Sequence, residues 1–279
     1  MQSLVPDAKL HDRSIAPNYE YDISVPSRKI AIEYNGVYWH TEQFKPKDYH
    51  RNKVLAAQEQ GWQVITVWED DDPAVVQKML AHKLGASTLP KYNARQLHIS
   101  NVPSLEATKF LKENHIQGAV GGSVRLGLYT EQHELVALMV LKRRNSKGDY
   151  ELVRYAASGV VRGGFSKLLA AFKRNNDGKW ATIVSFSDRD VSDGGIYTNN
   201  GFVQDGEINP DYKYVVNGRR EHKFNFRKTR FKTDPALKFE EGLTERELAE
   251  LNDLERIYDA GKVRWICYNE LVARYPAPC

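Results

Sequence analysis

The sequence predicts a protein of the α/β (α+β) class with two domains and a C-terminal extension. Its 279 residues exceed one average domain, and a hydrophobic fraction of 41% beside 27% charged residues is an ordinary globular composition. Segments of alternating apolar and polar residues predict strands, and segments with apolar residues at helical spacing lie between them. We place the domains at 1–88 and 94–235, and a helical extension at 236–279.

The first domain begins with a predicted β-hairpin. Residues 21–25 and 29–33 alternate between apolar and polar types, and Pro26 lies in the turn between them. A helix follows over 48–60, with Asp48 as its N-cap and Gly61 as its terminator. The apolar run 63–68 predicts a buried strand, and Pro73 opens a helix over 73–84. These elements predict a mixed sheet with flanking helices.

A linker is predicted over 87–93, where the helical pattern stops and Pro90 intervenes. Beyond it, two helices are predicted, the second entered through the pair Gly163-Gly164. Their ranges are 104–114 and 165–174, and strands are predicted at 94–99, 124–129, 135–141, 151–156 and 182–187. This order indicates an α/β or α+β domain. In the extension, Thr244-Glu-Arg-Glu is a capping-box pattern that opens one helix.

The charge is distributed unevenly along the chain. The net charge is +4, yet residues 213–232 contain eight Lys or Arg against the single acid Glu221. The only cysteines, Cys267 and Cys279, cannot form a disulfide framework or a four-cysteine zinc site. The N-terminus lacks the apolar segment of a signal peptide, and no stretch is long enough to cross a bilayer. We therefore expect a soluble, intracellular (cytoplasmic) protein without a membrane partner; the oligomeric state is not indicated.

The first candidate site lies on the predicted hairpin. Asp22 lies within one strand and Glu33 ends the other, so the two carboxylates can converge and bind Mg²⁺ (or Mn²⁺), which prefers oxygen ligands. His40 can transfer a proton near neutral pH, and His50 and Lys53 share one helix face. The alternative is that these are ordinary strand and surface residues.

These residues carry a resemblance to a known family. Asp22, the run Ile-Glu-Tyr-Asn-Gly-Val-Tyr-Trp-His at 32–40, Tyr49-His50 with Lys53, and the segment 61–69 resemble the very-short-patch-repair branch of the PD-(D/E)xK nucleases. The closest likeness is to phage-type homing endonucleases with an EDxHD motif. The resemblance covers about residues 19–85 of the chain.

The resemblance implies a role for each matched residue. It makes Asp22 and Glu33 the metal ligands, His40 a general base or acid, and His50 an outer residue of the site. Glu20 would be the leading Glu of the motif. The usual Lys, two residues after the second carboxylate, is Asn35 here, so that role is either absent or moves to Lys53. The implied activity is Mg²⁺-dependent hydrolysis of double-stranded DNA in a host cell.

A second resemblance covers part of the domain at 94–235. The segments 126–129, 135–139, 161–169 and 196–202 resemble the GNAT acyltransferases. In that family the cofactor pyrophosphate is held by backbone N–H groups where a glycine-containing loop enters a helix, a position that Arg162-Gly163-Gly164 would occupy. The alternative for the glycine pair is a tight turn into a packed helix. An acyltransferase, or a non-catalytic DNA-binding protein with a degenerate nuclease domain, is therefore the alternative function.

The basic segment 218–232 alternates cations with Phe224, Phe226 and Phe231. We expect the phenylalanines to lie in the core and the cations to contact phosphates of double-stranded DNA. The alternative is a solvated charged strand. The predicted DNA-binding residues are Arg219, Arg220, Lys223, Arg227, Lys228, Arg230 and Lys232.

Overall fold

The computed structural model describes residues 5–269 of the chain and shows a mixed α/β protein. It divides into two compact units, neither of them continuous in sequence. Within the described residues, the first comprises 5–71, 188–193 and 207–262. The second comprises 72–187, 194–206 and 263–269.

The strands and helices follow one another in mixed order along the chain. The strands are β1 (Lys9–Asp12), β2 (Tyr21–Val25), β3 (Ile30–Asn35), β4 (Gln63–Trp68), β5 (Lys91–Asn93), β6 (His98–Asn101), β7 (Val124–Tyr129), β8 (Leu135–Arg143), β9 (Asp149–Ala157), β10 (Val160–Arg162), β11 (Thr182–Asp188), β12 (Val203–Ile208), β13 (Tyr212–Val216), β14 (Arg219–His222), β15 (Arg256–Tyr258) and β16 (Lys262–Tyr268). The helices are α1 (Tyr49–Glu59), α2 (Pro73–Lys83), α3 (Ser104–Asn114), α4 (Gly164–Asn175), α5 (Gly195–Thr198), α6 (Lys228–Thr233) and α7 (Glu245–Leu251).

The first unit contains a four-stranded mixed sheet of order β1-β2-β3-β4. The β2–β3 hairpin is antiparallel, and β3 pairs in parallel with β4, so α1 forms the crossover between them. The buried side chains of Tyr21, Ala31, Val54 and Val64 form the core between the sheet and α1. This arrangement places the end of β3 beside the first turns of α1.

A second, three-stranded sheet of order β14-β13-β15 completes the first unit. Tyr214, Phe226, Phe231 and Leu248 form its core, so the phenylalanines at 226 and 231 are buried as the sequence predicts, whereas Phe224 is exposed. The predicted helical extension differs from the structure. Among the described residues of the extension, the seven residues of α7 are helical, and β15 and β16 follow, because 262–268 alternates buried and partly exposed residues over its first half as a strand does.

The second unit is built on a seven-stranded sheet of order β12-β16-β11-β9-β8-β7-β6. Strand β8 is buried on both faces: Leu138 and Val140 pack with Phe110 of α3, and Met139 belongs to the cluster that contains Phe172 of α4. The two helices therefore cover opposite faces of the sheet, which explains the continuous apolar run of this strand.

Two details differ from the sequence-based expectation for the second unit. Within the predicted linker, β5 pairs in parallel with β10, and the predicted strand at 94–99 is a short 3₁₀ turn followed by β6. The expected boundary at 88–94 falls inside this unit, and 207–262 lies in the first unit. The part of the extension beyond residue 269, with Cys279, lies outside the described residues.

No helix within the described residues is long and apolar enough to span a membrane.

Candidate functional site

A polar cluster of the first unit lies at the end of the β2–β3 hairpin. Glu33 is 5% exposed and forms an ion pair with the ammonium of Lys53 on α1. Asp22, on the neighbouring strand, accepts a hydrogen bond of 2.7 Å from the backbone N–H of Tyr34. The crossover therefore brings a carboxylate pair and a lysine that are separate in sequence into one place.

Glu33 is held in an environment that favours its neutral form. Burial raises its pKa to about 7, the negative charge of Asp22 acts in the same direction, and Lys53 opposes the shift. Its Oε1 is buried and has no hydrogen-bond partner among the described residues. Such an oxygen either carries the proton of the carboxyl group or needs a hydrogen-bond donor from outside the described residues. Glu33 can therefore exchange a proton close to neutral pH.

Two stacked imidazoles lie beside the carboxylates. His40 Nδ1 is 3.3 Å from His50 Nε2, and the ring centroids are 5.0 Å apart. Burial lowers the pKa of His40 to about 4 and that of His50 to about 3, and nearby Lys53 adds to both shifts. Both rings are therefore neutral at pH 7, so one can donate the shared hydrogen bond and the other can accept it.

The predicted residue Glu20 lies outside this cluster. It precedes β2, and its carboxylate binds His11 at 3.0 Å and Arg13 at 2.8 Å on the surface. Its ion-pair partners are His11 and Arg13 and not members of the cluster, so a role for Glu20 in the site stays a prediction. Asp22, Glu33, His40, His50 and Lys53 do come together, as the sequence predicts.

The cluster provides few ligands for a metal ion. One oxygen of Glu33 is taken by Lys53, and the described residues contain no group of three His, Cys, Asp or Glu side chains that could hold a metal. Mg²⁺ usually binds through one or two carboxylates and completes its shell with waters and substrate phosphate, so Asp22 and the Oε1 of Glu33 are the oxygens that could hold it. The Mg²⁺ site at Asp22 and Glu33 stays a prediction.

The predicted DNA-binding cations have different environments in the structure. The side chain of Arg220 is 10% exposed and binds Asp70 and Asp71, each at 2.6 Å, while its guanidinium lies 4.5 Å from the centre of the Trp68 ring. It serves the fold and is not available to phosphate. Lys223, Arg227 and Arg230 also pair with carboxylates. Arg219, Lys228 and Lys232 are exposed and form no ion pair with the described residues.

A cavity of about 650 Å³ opens at the N-terminus of α4 in the second unit. Arg162 and Arg95 line it and are exposed, and the parallel pairing of β10 with β5 brings their segments together. Lys167, one turn into α4, donates to the carbonyls of Ala94 at 2.8 Å and Leu97 at 2.6 Å. Since an ammonium carries three donors, one remains for a ligand.

The backbone at this cavity is suited to a negatively charged group. Gly163 is the N-cap of α4 and adopts φ 74°. Because glycine has no side chain, the first N–H groups of the helix are not capped by one. A Cβ on Gly164 would lie 2.7 Å from the Tyr155 hydroxyl. The glycine pair thus permits both the turn and the close packing of the helix. Both interpretations of its sequence, an anion-binding turn and a tight turn into a packed helix, are compatible with this geometry.

The sheet opens next to this helix. Strands β9 and β11 are paired in parallel only from Asp149 to Leu152 and from Thr182 to Ser185. Beyond that point β9 continues to Ala157 and β11 to Asp188 without pairing to each other. Beyond Leu152 and Ser185 the two strands therefore diverge, and a gap between diverging strands can accept an extended ligand.

Aromatic side chains surround the point where the two strands diverge. The Tyr197 hydroxyl is 2.9 Å from Ser185 Oγ, which itself donates to the carbonyl of Leu152 at 2.8 Å. Phe165 packs edge-on against both Tyr155 and Tyr197. Burial raises the pKa of Tyr197, so its hydroxyl stays protonated at neutral pH. Aromatic rings and two hydroxyl groups therefore lie beside the point where the strands diverge.

Known proteins match this chain in structure but not in sequence. No family model matches the sequence, and no curated protein matches it. The structure is similar to a Bacillus subtilis acetyltransferase in complex with CoA, at 14% identity and a TM-score of 0.35, over 62% of this chain and 99% of that chain. It is also similar to a Vibrio cholerae spermidine/spermine N-acetyltransferase, at 12% identity and a TM-score of 0.38, over 66% and 99%. An aminoglycoside 6'-acetyltransferase matches at 11% identity and a TM-score of 0.30, over 56% and 71%.

These comparisons correct the function expected from the first resemblance. The proteins matched are acetyltransferases, which contradicts the predicted Mg²⁺-dependent DNA endonuclease and its description as a nuclease and a hydrolase. The mixed α/β class is confirmed by the structure itself.

Sequence reasoning did not identify Arg95 and Lys167 as site residues. Neither belongs to a recognisable motif: Arg95 follows an apparent linker, and Lys167 has the spacing of an ordinary helix surface residue. An exposed aromatic cluster of Tyr38, Trp39 and Phe44 also has no predicted role, although its ring centroids lie 5.0 to 5.2 Å apart. A run of aromatic residues immediately after a strand is the signal that could have revealed it.

Proposed function

We propose that the second unit is an acyltransferase of the GNAT type that binds an acyl-CoA thioester. The observation that carries this proposal is the divergence of β9 and β11 next to the basic cavity at the N-terminus of α4. A gap between two diverging strands and a helix N-terminus close to it suit a ligand with a pyrophosphate and an extended amide-containing arm.

The chain supplies three kinds of contact to such a ligand. The first N–H groups of α4, with Arg95, Arg162 and the third donor of Lys167, would bind the pyrophosphate. The part of β9 beyond its pairing with β11 would bind the amides of the arm. The rings of Tyr155, Phe165 and Tyr197 would exclude water from the thioester end.

When bound, the thioester supplies an activated acyl carbon. In the transfer, the acceptor nucleophile forms a bond to that carbon, the C–S bond breaks, the sulfur gains a proton and the nucleophile loses one. The Tyr197 hydroxyl is protonated at neutral pH and lies at the divergence, so it is the group that can supply a proton there.

Binding of coenzyme A to the full chain tests the proposal directly. Isothermal titration calorimetry should detect binding to the wild type, and the double variant Arg95→Ala/Arg162→Ala should bind at least tenfold more weakly, since each lost charge-assisted hydrogen bond contributes about 1.5 kcal/mol or more. Gly164→Trp is a poor probe, because even a Cβ at that position meets the Tyr155 hydroxyl and Val161.

A matched control removes the same charge elsewhere in the second unit. Lys109 and Lys112 are exposed on α3, so Lys109→Ala/Lys112→Ala should leave coenzyme A binding unchanged. Absence of coenzyme A binding to the wild type, or equal losses in the two double variants, would overturn the proposal.

Double-stranded DNA stays a proposed partner of the first unit. The exposed cations Arg219, Lys228 and Lys232 support it, since each can reach a phosphate without breaking an ion pair. Fluorescence anisotropy with a labelled duplex tests it. The triple alanine variant should bind more weakly, and the salt dependence should fall by roughly 0.9 for each lost phosphate contact. An unchanged salt dependence would exclude these residues from the contact.

A further inference from the structure

A second basic cavity lies at the other end of α4. It has a volume of about 490 Å³, and Asn176 and Gly178 at the C-terminal end of the helix line it. Because α4 has twelve residues, it separates this cavity from the one at its N-terminus by roughly 18 Å. The two cavities are therefore distinct, and the acyl-CoA proposal makes no use of this one.

Three cations line the cavity: Arg143 at the end of β8, Lys147 in the β8–β9 turn, and Lys179 in the segment before β11. None of them forms an ion pair with a carboxylate among the described residues. The guanidinium of Arg143 is oriented by its bonds to the carbonyls of Asn145 at 3.0 Å and Ser146 at 3.3 Å. The other N–H groups of the guanidinium are thus held in position, and no carboxylate among the described residues forms an ion pair with it.

The acid of the β8–β9 turn, Asp149, is engaged in hydrogen bonds within the fold. The carboxylate of Asp149 accepts hydrogen bonds from Thr182 Oγ1 at 2.6 Å and from Asn145 Nδ2 at 2.7 Å. Those bonds lower its pKa, with smaller contributions from the charges of Arg144 and Lys147, so Asp149 stays ionised. Residues 142–149 and 173–181 together contain seven Lys or Arg against two Asp. Such a concentration of positive charge repels itself unless an anion is present.

Hydrogen bonds within the chain hold the walls of the cavity together. Asn145 Oδ1 accepts from the backbone N–H groups of Lys147 at 2.9 Å and Asp149 at 3.2 Å, which closes the turn. The Gly148 carbonyl accepts from the N–H of Ala181 at 2.8 Å. Gly148 has φ 91°, and a Cβ there would lie 2.7 Å from the Lys179 carbonyl, so the turn and the 179–181 segment are in close contact. The cations are consequently presented from two fixed segments.

We infer that this cavity is a binding site for phosphate groups, held by Arg143, Lys147 and Lys179. Phosphate is the anion that matches several donors converging from two sides, and charge-assisted bonds to it are the strong ones. The phosphate belongs either to a small phosphorylated molecule or to the backbone of a nucleic acid. Both present the same chemistry to these residues.

The test uses inorganic pyrophosphate and the full chain carrying Arg95→Ala/Arg162→Ala, so that the cavity at the N-terminus of α4 is weakened. Calorimetric titration should still detect pyrophosphate binding in this background. Adding Lys147→Ala/Lys179→Ala should weaken it at least tenfold, whereas adding Lys109→Ala/Lys112→Ala should change it less than twofold.

A labelled DNA duplex then identifies the source of the phosphate. The competition is measured in the control chain, which carries Lys109→Ala/Lys112→Ala in addition to Arg95→Ala/Arg162→Ala. If the duplex competes with pyrophosphate there, the site takes a nucleic acid backbone. If it does not compete, the site takes a small phosphorylated molecule. The inference is overturned if the Arg95→Ala/Arg162→Ala chain binds no pyrophosphate, or if both added pairs weaken binding equally. Either result leaves the coenzyme A measurement, and so the proposed function, unaffected.

Discussion

At the scale of single residues, the first unit buries several ionisable side chains and compensates each in its own way. Arg220 faces two aspartates, Glu33 is paired with Lys53 and inclines towards its protonated form, and His50 remains neutral. Removing one member of such a group leaves its partner buried and unsatisfied, which is the costly case.

Arg220→Ala should therefore destabilise the protein strongly. Asp70 and Asp71 are each about 10% exposed and would lose their only ion-pair partner among the described residues, at a cost of about 3–5 kcal/mol. Urea denaturation measures the change. The adjacent Arg219→Ala, at an exposed position, should stay within about 0.5 kcal/mol. Equal effects of the two variants would contradict the structural role of Arg220.

The paired imidazoles predict a pH dependence of stability. Their folded pKa values, about 4 for His40 and about 3 for His50, lie below the ordinary value of 6.5. The unfolded state therefore binds protons first as pH falls, and stability that is complete above pH 6.5 is lost progressively towards pH 3. Glu33 acts oppositely, because its raised pKa contributes stability below pH 4.5 that is lost as pH rises to about 7.

His50→Gln should make the acid side of this profile shallower. Melting temperatures of the wild type and the variant, measured from pH 7 down to pH 4, give the two slopes. The wild type should lose stability faster below pH 6.5, because only it has the second buried imidazole to protonate on unfolding. Parallel slopes would show that His50 is not held neutral by burial.

At the scale of elements, the ends of the helices are specified by short local patterns. Helix α7 has the complete capping box: the Thr244 hydroxyl accepts from the N–H of Glu247, and the Glu247 carboxylate accepts from the N–H of Thr244 at 2.7 Å. Such a short helix is stabilised mostly by its cap and by the burial of Leu248.

Thr244→Ala should cost about 1 kcal/mol, because it removes the cap of a seven-residue helix that supports the core around Phe231. The measurement is the denaturation midpoint in urea. Ser104→Ala provides the comparison, since Ser104 begins α3 after Pro103, where no side chain caps the helix. That variant should be nearly neutral, and a loss equal to that of Thr244→Ala would count against the capping contribution.

At the scale of the whole molecule, each unit has hydrophobic clusters of its own. In the second unit, Phe172 is fully buried between α4 and the sheet, and Leu128, Met139 and Ile183 belong to the same cluster. Residues this well packed determine the stability of the sheet that carries both cavities.

Phe172→Ala should lower stability by about 3–5 kcal/mol, because it leaves a cavity in this core. Hydrogen exchange should increase in the amides of β7, β8 and β9. Leu105→Ala, at a position 84% exposed, should leave both stability and exchange unchanged. If exchange in these strands stays at the wild-type level in Phe172→Ala, the core assignment is wrong.

The sequence by itself predicts most local elements, because hydrophobic periodicity and caps act over a few residues. The β2–β3 hairpin, α1, β4, α3 and α4 all lie where their patterns indicate, and the mixed α/β class follows from them. It also predicts that Asp22, Glu33, His40, His50 and Lys53 meet, since one hairpin and one crossover connect them.

Only the tertiary structure decided which charges are free and where the sheet opens. Arg220 looks like its neighbour Arg219 in sequence, yet it is buried against Asp70, 150 residues away. The divergence of β9 from β11, the basic cavities at both ends of α4, and the return of 207–262 to the first unit depend likewise on contacts between distant segments. Local patterns cannot specify such contacts, because burial and pairing are set by side chains brought together through the whole fold.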